Sequence, residues 1–186
     1  MGIILIVSIY DKRLWKQFYA FYFFIIISVE IILFLNPKPQ FLFNFLDIFS
    51  ILFWGWIISK DLIGRNFIYM ITLVAFISAV YFFFTSQTSY STYTGVIYSV
   101  FCIVLSIIWF MKKINSELKE QTILNFSLFW ICSSLLLWSV FYLFRMMPMY
   151  WFNSVDKEFL LSLRNIFQVI NIVSYSLFLR GLFCKV

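Results

Sequence analysis

Leu160 to Phe183 reads LLSLRNIFQVINIVSYSLFLRGLF. Most of this stretch suits hydrocarbon, and it is as long as the roughly 20 residues a helix needs to cross a bilayer. Four residues with polar groups recur in it: Arg164, Gln168, Asn171 and Tyr175, separated by four, three and four positions. At about 100° per residue they fall within roughly 60° of one another on a helix. Tyr175 is the least polar of them, a ring with a hydroxyl at its tip. Lipid offers a polar stripe no hydrogen bonds, so the spacing predicts a stripe that faces other helices or a wet cavity.

The rest of the chain is written for the same solvent. Of its 186 residues 63% are hydrophobic and 24% aromatic, and only 12% are charged. A soluble domain carries about 25% charged residues and has no way to hide this much Phe and Ile. The predicted fold class is all-α: a polytopic transmembrane helical bundle of six spans, preceded by a short apolar segment. The spans are expected at about 17–35, 40–59, 66–84, 95–111, 123–144 and 160–183, within a single integral membrane domain covering 1–186.

Working back from the last span, Arg145 to Phe159 (RMMPMYWFNSVDKEF) is the longest connection. Pro148 is expected to break it, and Tyr150, Trp151 and Phe152 to anchor it at the interface. All three prolines are expected in loops, and Gly181 reads as a C-cap. Lys112 to Thr122 is a charged loop that extends a helix past the membrane. Thr85 to Thr94 (TSQTSYSTYT) carries no charge, and its hydroxyls suit an ordered cap. Ala75 and Ala79 form a small-xxx-small pair for helix packing. Asn36-Pro37-Lys38-Pro39 makes a rigid turn after the first span. Met1 to Tyr10 is apolar but too short to span, and it lacks the flanks of a signal peptide. It reads as an interfacial segment or the tail of a lost helix, followed by a basic anchor, DKRLWK, with Trp15.

Lys and Arg set the orientation. Lys12, Arg13, Lys16, Lys60, Arg65, Lys112, Lys113, Lys119, Arg180 and Lys185 fall on one side of a six-span chain, and Lys38, Arg145 and Lys157 on the other. This asymmetry predicts a cytoplasmic (inner) membrane protein with both termini in the cytoplasm, and it explains the net charge of +6 without nucleic acid.

Glu30, Asp47 and Arg164 then fall in the same leaflet, roughly 6 to 11 Å below the outer boundary. Asn44 and Gln168 lie at comparable levels and Asn171 deeper. These six residues are the candidate site, an intramembrane polar cluster. One reading is an outward-facing pocket for a cation, a proton or a small polar ligand. The other is a buried ion pair that clamps three helices, since a charge at a span centre costs about 2.5–3.5 kcal/mol unless paired.

Chemistry beyond this finds little support. The chain has no histidine, which removes the usual general base and the commonest metal ligand. Cys102, Cys132 and Cys184 are far apart and read as packing residues. Met146, Met147 and Met149 read as interfacial packing. No catalytic residue, cofactor or metal site is expected.

NFSLFWICSSLLLWSVFYLF (125–144) followed by LRNIFQVINIVSYSLFLRGLFC (163–184) resembles a group of small multi-span membrane proteins common in Bacteroidota. A Phe-Trp start to one span and an Asn-bearing final span recur in that group. The likeness covers about residues 40–184 and is mostly hydropathy pattern. It implies seven spans, with residues 1–10 the remnant of the first, and brings no activity or functional residue with it.

The expected role is non-enzymatic: a sensory or accessory module that acts with a membrane or cytoplasmic signalling partner as well as the bilayer. The alternative is a small carrier using the polar pocket. Inverted repeats or a broken helix would favour the carrier, and neither is visible in the sequence.

Overall fold

The computed structural model of the chain describes residues 14–36, 40–62, 64–86, 91–115, 123–150 and 157–184. These form six long helices: α1 (Leu14–Leu35), α2 (Phe41–Asp61), α3 (Arg65–Thr85), α4 (Thr92–Asn115), α5 (Ser127–Tyr150) and α6 (Lys157–Phe183), with a 3-10 turn at Ile123–Asn125 before α5. No strand occurs among the described residues. All six are long and apolar enough to cross a membrane. Lipid cannot satisfy a backbone N–H or C=O, and a helix satisfies both within itself. The protein is a multi-pass, all-α membrane protein. The N-terminal segment Met1 to Tyr10 lies outside the described residues.

The chain divides into two compact units, 1–101 and 102–186, with the boundary inside α4. In the first unit α1 and α2 run antiparallel, for Phe18 meets Trp56 and Tyr22 meets Phe49. The seam is aromatic: Tyr22 stacks on Phe53 at 4.4 Å, and Trp54 meets both edge-on. Trp54 and Ile57 are wholly buried. Against α3, α2 offers Gly55. A Cβ added there would collide with the side chain of Thr72, so glycine permits the close approach. Ala79, of the expected small pair, is buried, and Ala75 only partly so. The turn between α2 and α3 depends on Gly64, whose φ of 97° favours glycine. Most large side chains of α3, among them Met70, Leu73, Val74 and Ile77, remain exposed and suit a lipid-facing helix. At the far end of α3, Phe82 stacks on Tyr93 of α4.

In the second unit α5 and α6 form the main pair. Their contacts run antiparallel: Ser127 lies beside Gly181, Ser134 bonds to Ser174, and Tyr142 meets Phe167. Three expectations about this unit are corrected. Pro148 is inside α5, which runs on to Tyr150. It falls in the last turn, where its missing N–H costs a single hydrogen bond, so the helix absorbs it. Arg145 is therefore helical, with its guanidinium 4.7 Å over the Phe167 ring. Gly181 is not a C-cap, because α6 continues to Phe183. A Cβ at Gly181 would sit 3.1 Å from the Ser127 carbonyl oxygen and 3.2 Å from Ile131, so glycine serves helix packing there. The fifth span starts at Ser127 rather than 123, because residues 123–125 coil more tightly. Trp130 secures that turn by donating its indole N–H to the Leu124 carbonyl at 2.9 Å. α4 extends to Asn115, as expected for the charged loop; residues 116–122 and the anchor residues Trp151 and Phe152 lie outside the described residues.

Candidate functional site

Asn44 and Asp47 lie on one face of α2. Asn44 is 2% exposed, and its Oδ1 accepts the Ser91 N–H at 3.2 Å. The side chain thus holds Ser91, the residue before α4, while the Ser91 and Thr94 hydroxyls meet no partner among the described residues; residues 87–90 of the hydroxyl-rich loop lie outside the described residues. Asp47 is half-buried one turn further on. The same face continues into a polar group that sequence reasoning missed. The Trp54 indole N–H donates to the Tyr22 hydroxyl at 3.2 Å, and that hydroxyl lies 3.0 Å from the Ser50 Oγ. Asp47, Ser50 and Trp54 are three and four positions apart, which puts them on one arc. The signal was present in that spacing, but the pairing with Tyr22 on another helix was not. Glu30, near the end of α1, is exposed, and no hydrogen bond joins it to Asp47 among the described residues.

On α6 the polar stripe straddles the edge of the packed face. Leu163, Phe167, Ser174 and Phe178 are buried in the second unit. Asn171 and Tyr175 are half-buried beside them, and Arg164 and Gln168 are exposed. Among the described residues of this chain no helix covers the first two members of the stripe, Arg164 and Gln168. The reason is angular, since a stripe 60° wide at the margin of a packed face is covered only where neighbours reach round it. Asn165, absent from the sequence-based site, is also exposed and flanks Gln168 on the side away from Arg164.

The α5–α6 seam is itself polar in places. Ser134 donates to the Ser174 carbonyl at 2.7 Å. Asn171 Oδ1 and Ser174 Oγ on α6, and Ser139 Oγ elsewhere on α5, are buried with no hydrogen-bond partner among the described residues. Elsewhere Ser and Thr hydroxyls return to their own helix: Ser28 to Phe24, Thr72 to Ile68 and Ser133 to Phe129.

The six residues of the expected cluster divide between the two units, Glu30, Asn44 and Asp47 in the first and Arg164, Gln168 and Asn171 in the second. Each set is described by its own unit. Their chemistry is hydrogen bonding and charge. Among the described residues no group of His, Cys, Asp or Glu is placed to hold a metal ion, and the three cysteines are not in disulfides. Met146 is buried in a cluster with Tyr142 and Phe167, as packing requires; the side chains of Met147 and Met149 lie outside the description.

The chain matches no protein-family model, and neither a curated protein nor a solved structure shows detectable similarity to it.

Proposed function

We propose that this is a non-enzymatic module of the cytoplasmic membrane that works by associating with a partner protein inside the bilayer. The observation that carries this reading is the exposed arc of Arg164, Asn165 and Gln168 on α6. Gln168 lies ten residues into the span Glu158–Phe183. The span is about 39 Å long, so Gln168 stands about 4 Å from its midpoint, or about 11 Å inside a hydrocarbon core about 30 Å thick. Arg164 is shallow enough to snorkel to the headgroups. Gln168 is not, and its amide gains hydrogen bonds there only from another helix. Exposed apolar neighbours, Leu161 and Ile172, continue the same face.

The test is purification in mild detergent followed by mass spectrometry. A partner present in stoichiometric amount, and lost in the Gln168→Leu variant, supports the reading. A solitary protein in both preparations contradicts it. The orientation rests on the distribution of Lys and Arg: a cytoplasm-active reporter fused after Val186 is expected to work, and one fused after Lys38 to fail.

A second reading, a small carrier, draws on the unpartnered atoms of α5 and α6, Ser139 Oγ, Asn171 Oδ1 and Ser174 Oγ. Buried polar atoms without partners suit a path that a polar solute or water occupies. A stoichiometric small molecule in the purified protein, in place of a protein partner, would favour this reading.

A further inference from the structure

The turn between α2 and α3 forms a crevice of about 670 Å³, wholly within the first unit, whose lining includes Lys60, Asp61, Arg65, Asn66 and Phe67. We infer that it binds a phosphate group, that of an anionic lipid headgroup. Two cationic side chains and one carboxylate line it, so the charge balance favours an anion. Lys60 is fixed rather than free to wander: its Nζ sits 3.6 Å over the Trp56 ring and 5.7 Å from that of Phe18. An ammonium held on an aromatic face gives up little conformational freedom when it meets an anion. Arg65 is exposed on the other wall and offers the planar fork that suits phosphate oxygens. Asn66 adds an amide donor beside it. Gly64 at the N-cap supplies no side-chain cap to α3; the Phe67 N–H donates to the Gly64 carbonyl at 3.1 Å, which leaves the Arg65 and Asn66 amides open. Asp61 opposes the anion and confines it to the Lys60 and Arg65 side.

The position of the crevice points to a lipid rather than to free phosphate. It lies where the spans Phe41–Asp61 and Arg65–Thr85 end, at the level of the headgroups. Phe67 lines it and is itself exposed, and Phe67, Met70, Val74 and Ile77 continue down α3 as an exposed apolar column. Their spacing keeps them within about 80° of arc. An acyl chain lying on that column brings its own headgroup to the crevice. Basic pockets between membrane helices take anionic headgroups on the same physical grounds.

The test uses the full chain, equilibrated in detergent with equal amounts of phosphatidylglycerol and phosphatidylcholine of the same acyl chains. Native mass spectrometry then reads the bound lipid. The wild type is expected to retain phosphatidylglycerol about fivefold over phosphatidylcholine, the scale of one basic side chain near the surface. Lys60→Met with Arg65→Gln should bring the ratio to parity, and Arg65→Gln alone, at an exposed position, to a value between. The matched control, Lys112→Gln with Lys113→Gln, removes two charges from another helix and should leave the preference in place. Parity in the wild type would overturn the inference. So would loss of the preference in the control pair, which would mean general attraction to basic residues. Displacement of phosphatidylglycerol by millimolar inorganic phosphate would reassign the crevice to free phosphate and overturn the lipid assignment.

Discussion

In the α1–α2 pair the Tyr22 hydroxyl receives the Trp54 N–H and meets the Ser50 hydroxyl, all three residues being buried. In the α5–α6 pair Ser139 and Ser174 are as deeply buried, yet their hydroxyls meet no partner among the described residues. The first pair closes these three polar groups against each other among aromatic rings, while Glu30 stays exposed near the end of α1. The second leaves polar atoms unsatisfied inside and an arginine and two amides open outside. An unmet buried polar group costs about 1–3 kcal/mol. A membrane protein keeps such groups where something outside the helix pair makes use of them. The difference teaches that polarity in a membrane helix has to be read by where it terminates, not by how much there is.

The largest expected effect falls on the closed side. Trp54→Ala removes a wholly buried ring that touches Tyr19, Tyr22 and Phe53, and should destabilise the protein by about 3–5 kcal/mol in detergent unfolding. A loss below about 1 kcal/mol would mean the aromatic seam does not hold α1 to α2. Next come the two close approaches, one in each unit. Gly55→Val forces side-chain atoms onto Thr72, and Gly181→Val onto the Ser127 carbonyl. Each should cost about 1–3 kcal/mol. Thr72→Ala should recover part of the first loss, and no substitution in the first unit should recover the second.

The sharpest contrast comes from deleting one hydroxyl on each side. Tyr22→Phe leaves the Trp54 N–H without its acceptor and should cost about 1–3 kcal/mol. Ser139→Ala removes a buried hydroxyl that has no partner, so it should be neutral within about 0.5 kcal/mol or slightly stabilising. Equal losses from the two would erase the distinction between the pairs. Thermal melts of both variants in one detergent decide it.

The six helices were legible because hydrocarbon demands about 20 apolar residues in a row, and that demand is written in composition. The helix ends were less so. Pro148 and Gly181 both look like stop signals, but each signal describes an isolated helix. Pro148 sits where only one bond is lost, and Gly181 is needed for its lack of a side chain against Ser127. The polar residues divide in the same way. Asn44 and Asp47 stand out from any apolar run, and Asn44 is indeed buried and bonded. Ser50 does not stand out, because a serine in a helix can bond back to its own backbone, as Ser28 and Ser133 do. Only the Tyr22 ring across the seam gives it another role. On α6 the spacing of Arg164, Gln168, Asn171 and Tyr175 identified an arc, but not which part of that arc its neighbours cover. Asn165 stands three residues before Gln168 but about 60° beyond it round the helix, outside the stripe that the other four define.

The most direct measurement places a photoreactive amino acid at Leu161 or Ile172, on either side of the polar arc of α6, and irradiates intact membranes. Both positions are exposed, so the probe itself disturbs little packing. The account predicts a discrete adduct between this chain and a second polypeptide, weakened when Arg164→Leu and Gln168→Leu are introduced together. Adducts with lipid alone, or crosslinks confined within one chain, would contradict it.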